Sequence, residues 1–330
     1  MFIAIKGGLD MLKPITGTWF EFHHHNLPEG IYWNPVCRRF TDEQWETKIA
    51  EMASIGLKYV VLMASSMVYP DSCEAYFQTD IYPRAEMAAS DPMEAMFRAA
   101  DRHNMNIFVG TGFYGFWQDT YNNMTSPEVT KRAFKAMEQL YAQYGHHPSF
   151  YGWYLPDELG ICPYYPDEFI RYTNIYTAHG KSFSKNLQVL IAPYGTNMLK
   201  ADDLFVKQLE RLDCDIIAYQ DEVGVRKSTP TETPAYYEAL RTAHDKAGRA
   251  TLWADMEIFE FEGEVYKSAL IPAKIERIEQ QIRSIAPYVD EILMYQYLGM
   301  FNKPDTDAFC GHPNSTQFYN DYVKWFSTHF

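Results

Sequence analysis

Phe150-Tyr-Gly-Trp-Tyr-Leu-Pro-Asp-Glu158 is a near-continuous apolar run that stops at a proline and ends in two adjacent acids. A parallel strand buried on both faces reads this way, because helices cover both sides of its sheet. An amphipathic helical pattern follows, from Pro166 to about His179. Another precedes it: Ser126-Pro-Glu has a capping serine with proline at the first helical position. Phe134, Met137, Tyr141 and Tyr144 then fall on one helical stripe. Strand and helix therefore alternate on both sides of the stretch.

The same unit extends to both ends of the chain. The expected strands are Ile15–Phe22, Leu57–Met63, Asn106–Gly110, Phe150–Leu155, Leu187–Ala192, Cys214–Tyr219, Ala250–Asp255 and Glu291–Tyr297. Thr41-Asp-Glu-Gln44 has capping-box spacing, Trp45, Ile49 and Met52 follow at helical intervals, and Gly56 stands at the C′ position. Further helices are expected from Ser90-Asp-Pro, around Leu204–Leu212, from Pro234 to Ala247, through Ile275, Ile278, Ile282 and Ile285, and through Phe318, Tyr322, Trp325 and Phe326. Alternation of this kind means right-handed βαβ crossovers. Eight units with no glycine fingerprint after the first strand favour an α/β fold of one closed (β/α)8 TIM barrel over a doubly wound open sheet. The expected domain is residues 14–330, with 1–13 as an N-terminal extension. The stretches after strands (23–40, 64–89, 111–125, 156–165, 220–232, 256–271 and 298–314) are the long ones, so the active site is expected at the C-terminal rim of the strands.

Composition narrows the function. The chain has 330 residues, 47% of them hydrophobic, with 29 basic and 43 acidic residues and a net charge of −14. A phosphate-backbone binder needs a basic face, which argues against nucleic acid as a partner. No run of 18 apolar residues is present, so no membrane-spanning helix is expected. Cys37, Cys73, Cys162, Cys214 and Cys310 are scattered, without a C-x-x-C pair, so neither a disulfide framework nor a zinc ribbon is expected. The start, Met1 to Leu12, has no signal-peptide apolar core. A cytoplasmic protein is the reading of the sequence as given, or a periplasmic or secreted one if this start is not the natural one. Aromatic residues reach 16%, with 25 Tyr, 21 Phe and 7 Trp. They could fill a thick core or line a cleft for flat, hydroxylated ligands.

Two acid pairs stand where strands end. Asp157 and Glu158 end the fourth. Thr251-Leu-Trp-Ala-Asp-Met-Glu257 ends the seventh, and there Thr251, Trp253, Asp255 and Glu257 share one parity, so one face carries both acids. Glycoside hydrolysis needs one carboxylic acid to protonate the leaving oxygen and a second carboxylate as nucleophile or as base. The two lie about 5–5.5 Å apart in retaining enzymes and about 6.5–9.5 Å apart in inverting ones. The bland alternative is solvated loop acids. Trp19 and Glu21 end the first strand, Tyr114 and Trp117 follow the third, Tyr194 follows the fifth, Tyr219, Gln220 and Asp221 end the sixth, and Tyr295 and Gln296 end the eighth. Aromatic faces stack on sugar rings while amides and acids bond hydroxyls. These residues are the expected carbohydrate-binding set, with Trp19, Trp117 and Trp253 around one cleft and Tyr219 and Gln220 on its wall.

His23-His24-His25 follows the first strand. Histidine is the commonest metal ligand, but no His-x-Glu, H-E-x-x-H or second histidine pair at a strand end accompanies it, so no metal or other cofactor is expected. His24 is taken as a substrate contact. His146-His147 ends a helix on the opposite barrel face and reads as structural.

The strand-one Gly-Thr-Trp, the Phe150–Glu158 segment, Asp215-Ile-Ile-Ala-Tyr-Gln-Asp-Glu-Val-Gly224 and Leu252-Trp-Ala-Asp-Met-Glu257 together resemble the bacterial DUF4434 family, from about Ile15 to the C-terminus. The resemblance implies a glycoside hydrolase in the style of the large clan of retaining (β/α)8 enzymes, with Glu158 as acid/base and Glu257 as nucleophile. It also implies export, as for many members. One departure stands out: the clan's usual strand-four pair is Asn-Glu, with the Asn bonding the sugar 2-hydroxyl, whereas Asp157 stands there in this chain. The expected activity is thus cleavage of an oligo- or polysaccharide by two carboxylates. Glu158 is expected to hold a proton near neutrality, and Glu257 to stay ionised. The competing readings are a metal-dependent barrel hydrolase or isomerase using His23 or His25 with Glu158, Asp221 and Asp255, and a catalytically silent carbohydrate-binding barrel.

Overall fold

The computed structural model describes residues 12–330, so most of the expected N-terminal extension lies outside the described residues. Eight strands alternate with eight main helices. The strands are β1 (Ile15–Phe20), β2 (Tyr59–Leu62), β3 (Asn106–Gly110), β4 (Phe150–Leu155), β5 (Gln188–Ile191), β6 (Ile216–Gln220), β7 (Thr251–Glu257) and β8 (Glu291–Tyr295). They close into a barrel in which each strand pairs with its sequence neighbours and β8 returns to β1. Every pairing around the ring is parallel. The protein is a (β/α)8 TIM barrel, as its alternating pattern indicates.

The helices are α1 (Asp42–Ser54), α2 (Pro92–Arg102), α3 (Pro127–Tyr144), α4 (Asp167–Phe183), α5 (Asp203–Arg211), α6 (Thr233–Ala247), α7 (Ile275–Ile285) and α8 (Ser315–His329). Thr41 and Gln44 form the reciprocal capping box, and Ser126 caps α3 through Val129 N–H. At α2 the cap is Asp91 rather than Ser90, its carboxylate accepting from Glu94 N–H. Gly56 has φ +89°, the left-handed conformation that ends α1 without a Cβ penalty. Gly152 is needed for another reason: a Cβ there would stand 2.0 Å from the Gln188 carbonyl on β5.

The aromatic residues sort by layer. Low in the barrel, Trp253 packs on Tyr59 (ring centroids 4.9 Å) and edge-on to Phe108 (6.2 Å). Above them Trp19 meets Tyr154 edge to face at 5.8 Å. Outside the strands, Trp153 lies against Phe150 and Phe183, and a Cβ on Gly180 of α4 would come 2.6 Å from its indole. The abundance of aromatics is thus largely core.

Two rim loops carry hairpins, Ser66–Tyr69 with Ser72–Ala75 and Phe259–Phe261 with Leu270–Pro272. Short helices occupy Asn34–Cys37 and Thr120–Thr125. His147 bonds Asp101 and Glu94. No helix among the described residues is long and apolar enough to cross a membrane.

Candidate active site

Parallel register brings the rim residues together. Gln220 on β6 lies opposite Asp255 on β7, and Glu257 lies opposite Tyr295 on β8. These four side chains and Glu158 border a cavity of about 120 Å³ at the C-terminal mouth. His25 and Glu29 line it from the loop after β1, and Phe259, Phe261, Tyr266 and Leu270 from the hairpin after β7. A second cavity, of about 330 Å³, adjoins it and is bordered by Glu158, Tyr194, Gln220, Val225, Lys227 and Tyr266. A larger depression of about 840 Å³ lies outside the barrel between α3 and α4, with Glu138 as its single carboxylate. It has no acid pair and shares no lining residue with the two cavities at the mouth.

Glu158 is held at both oxygens. Tyr154 O–H donates to Oε1 at 2.6 Å, and Gln220 Nε2 donates to Oε2 at 2.6 Å. Burial pushes its carboxyl up to about 7, against the two donors, and nearby Asp157 adds to the rise. Asp255 is buried with Oδ1 unpaired. Burial raises its pKa well above the usual carboxylate range, helped by the charges of Glu158, Glu257 and Asp221. Its sensitivity to both rim glutamates places it electrostatically between them.

Glu257 departs from expectation. Val225 N–H donates to its Oε2 at 2.8 Å, but burial and the neighbouring Asp221 carboxylate push its pKa up rather than leaving it freely ionised. Asp221 is itself raised by burial, to about 6. It accepts from Glu257 N–H at 3.0 Å and from Gln281 Nε2 at 2.6 Å. Asp221 therefore braces the end of β7 from behind and does not border the cavity.

Several expected sugar contacts stand elsewhere, each for a visible reason. Trp19 and Trp253 face the barrel interior but sit in layers below the carboxylates. Tyr219 has the opposite parity to Gln220, and its hydroxyl bonds His244 on α6 in the helix layer. Tyr114 is buried, with its hydroxyl on Ser65. Asp157 is buried between Asn123 and Tyr172, both of which donate to it. Burial raises it to about 6. Trp117 packs against the wall residue His25, ring centroids 4.6 Å apart, and does not itself border the cavity.

Glu21, His24 and Gln296 form a second buried polar unit. His24 Nδ1 meets Glu21 at 2.8 Å and its Nε2 meets Glu29 at 2.9 Å. Trp33 Nε1 and Gln296 Nε2 both donate to Glu21 Oε1. Burial opposes both charges, yet the mutual attraction and hydrogen bonds win, lowering Glu21 to about 2 and raising His24 to about 10. His24 is thus a protonated wedge between two carboxylates. Glu21, His24 and His25 have ligand atoms within 4.8 Å of one another, and in this arrangement both His24 nitrogens are engaged by Glu21 and Glu29. His25, by contrast, borders the cavity with Nδ1 buried and unpaired. Burial and the adjacent His24 lower it to about 3, so it is neutral.

Sequence reasoning missed Glu29, Phe259, Phe261, Tyr266 and Lys227, which lie in the long loops with only loop length pointing to them; His25 was named there only as a possible metal ligand.

Fold and rim together define a (β/α)8 barrel with a carboxylate-lined pocket at its mouth. The chain belongs to the DUF4434 family, a domain of unknown function whose model matches residues 15–308. No functionally curated protein matches it. Among solved structures it is similar to a Bacteroides thetaiotaomicron VPI-5482 protein provisionally named an alpha-L-fucosidase, at 16% identity and TM-score 0.73, with 99% of both chains covered. It is also similar to the endo-1,4-beta-D-mannanase of Thermotoga petrophila RKU-1, at 8% identity and TM-score 0.64, covering 95% of this chain and 99% of that one. A third is the endo-1,4-beta-mannanase of Rhizomucor miehei, at 9% identity and TM-score 0.60, with 95% of each chain covered. At these identities the likeness is one of fold.

Proposed function

We propose that this protein is a glycoside hydrolase, with residues 14–330 as its catalytic domain and Glu158 and Glu257 as its two carboxylates. One observation carries the reading. Glu158 borders a rim cavity beside three further acids, and its carboxyl is raised to about 7, where it can hold a proton at neutral pH. The barrel neighbours that act on glycosidic bonds support it, as does the resemblance that puts the acid after β4 and the nucleophile after β7.

Glu158 gives its proton to the glycosidic oxygen as the bond to the anomeric carbon breaks. The Tyr154 and Gln220 donors resist protonation in the resting site and stabilise the carboxylate left behind. Glu257, as its carboxylate, attacks the anomeric carbon from the opposite side, and the positive charge developing on the ring adds to that of nearby Arg277 in favouring the ionised form. In the second step Glu158 takes a proton from water, which displaces Glu257, so the anomeric configuration is retained. Gln220, Asp255 and Tyr194 contact the substrate. Glu21, His24, Asp157, Asp221 and Gln296 position the rim, and Trp19 supports Tyr154 from below.

The test is a screen of plant, host and microbial glycans with product detection, run beside Glu158→Gln and Glu257→Gln. Release of reducing ends by the parent and its loss in both variants supports the assignment. Binding without release would identify a silent lectin-like barrel instead. Near-full activity in both variants contradicts the residue roles.

A further inference from the structure

Resting on that reading, we propose that the site is exo-acting: its inner cavity takes the single terminal residue of a glycan, an uncharged sugar ring, and the outer cavity takes the leaving group. Three observations carry this.

The first is a wall. The hairpin after β7 is tied to the loop after β1. Leu270 N–H donates to the Glu29 carbonyl at 3.1 Å, Asn26 Nδ2 to the Tyr266 carbonyl at 3.0 Å, and Tyr32 O–H to Glu262 at 3.1 Å. β7, β8 and β1 are consecutive around the barrel, so this stitching closes that arc of the mouth. The outer cavity lies on the other side, where Tyr194 follows β5 and Lys227 follows β6.

The second is size and order. The inner cavity of about 120 Å³ has the volume of about four liquid waters, so it has room for no more than one sugar ring. Glu158, Gln220, Val225 and Tyr266 border both cavities. An acid that protonates the leaving oxygen must stand at the bond being cut, so that bond crosses at Glu158, with one ring inside and the remainder outside. Net, water adds its hydroxyl to the anomeric carbon of the inner ring and its hydrogen to the leaving oxygen.

The third is charge. Glu29, Glu158, Asp255 and Glu257 line the inner cavity, and among the described residues no Lys or Arg does. A uronic acid placed there would bring a carboxylate into a buried site that already holds four carboxyl groups, with no lining Lys or Arg to meet its charge. Lys227, the cation of the outer cavity, is paired with Glu222 at 3.2 Å and lies over the Tyr194 ring at 5.0 Å. That aromatic face with a fixed ammonium beside it suits a hydroxylated leaving group.

The experiment uses the intact protein with two probe sets. One is 4-nitrophenyl monoglycosides of hexoses, 6-deoxyhexoses, pentoses and glucuronic acid in both anomers. The other is the matching oligosaccharides labelled at the reducing end. The expected result is turnover of at least one neutral monoglycoside, stepwise loss of one terminal residue from the labelled chain, and at least a hundredfold lower rate on the glucuronide. Internal cleavage, with fragments of two or more residues appearing first while monoglycosides stay intact, overturns the inference and leaves the glycosidase reading standing. Preferred turnover of the glucuronide overturns the charge assignment. Silence on every probe counts against the glycosidase reading itself and removes this inference with it.

Discussion

Glu21 and Glu158 are both glutamates that follow barrel strands at the same mouth, and their surroundings send them opposite ways. Glu21 has an imidazolium at 2.8 Å and two further donors, and its pKa falls to about 2. Glu158 has two neutral donors and no cation, and its pKa rises to about 7. Burial penalises both charges, so the difference is the counter-charge. A buried carboxylate with its own cation is a structural anchor, whereas one left with neutral donors and acidic neighbours keeps a proton that chemistry can use.

The contrast breaks first at activity. Glu158→Gln is expected to cost about 10²–10⁴ in kcat/KM on ordinary glycosides, the usual range for a general acid, as measured by steady-state kinetics on the responsive substrate. Glu21→Gln, if it still folds, should leave the proton-transfer step in place and lose stability instead, by about 3–5 kcal/mol, because the His24 charge is left buried with a weakened partner. Chemical denaturation at pH 7 checks this.

The two glutamates should also answer pH with opposite sign. Glu21 has a folded pKa below its ordinary value of 4.5, so its stabilisation is present above about pH 4.5 and is lost as pH falls toward 2. His24, raised from 6.5 to about 10, contributes fully below about pH 6.5 and loses its contribution as pH rises through 10. Glu158, raised from 4.5 to about 7, has the opposite sign to Glu21: its contribution to the folded state is fully present below about pH 4.5 and is lost as pH rises through 7. Glu158→Gln should therefore gain about 1–2 kcal/mol at pH 8 and nothing at pH 4, allowing for screening through the open cavity. Equal effects at both pH values would place the proton elsewhere.

The smallest effect separates the cavity wall from the barrel floor. Tyr194→Ala should raise KM about fivefold, the worth of one stacking contact near 1 kcal/mol. Trp253→Phe, deep in the barrel, should lower the melting temperature and leave KM unchanged. A KM shift in the second variant alone would reverse the layer assignment.

How much of this the sequence disclosed depends on what physics wrote into it. Barrel, strand order and rim follow from the alternation of apolar runs with capped amphipathic segments, because burial on two faces demands continuous apolarity in each strand. Asp255 and Glu257 were legible because period-two alternation at a strand end sets which residues face inward, and Glu158 and Gln220 because they stand where strands end. The same rule separates Tyr219 from Gln220, one residue apart on opposite faces. Depth along the barrel axis was not legible. Trp253 and Glu257 share a face, but two and four residues of rise put Asp255 and Glu257 at successively higher layers and leave Trp253 on the floor. The hairpin residues Phe261 and Tyr266, and the loop residues His25 and Glu29, depend on contacts between segments more than 200 residues apart, such as Asn26 with Tyr266, which no local pattern encodes. The charge state of Glu257 was hidden too, because it depends on Asp221 arriving from a neighbouring strand.

The central claim is that Glu158 protonates the leaving group. The most direct test compares Glu158→Gln with the parent on two glycosides of the same sugar, one with an alkyl alcohol as leaving group and one with a dinitrophenolate, which departs without needing a proton. The account predicts that the variant loses about 10²–10⁴ in kcat/KM on the alkyl glycoside while keeping cleavage of the dinitrophenyl glycoside within about tenfold of the parent. Equal losses on both substrates, or none on either, would contradict it.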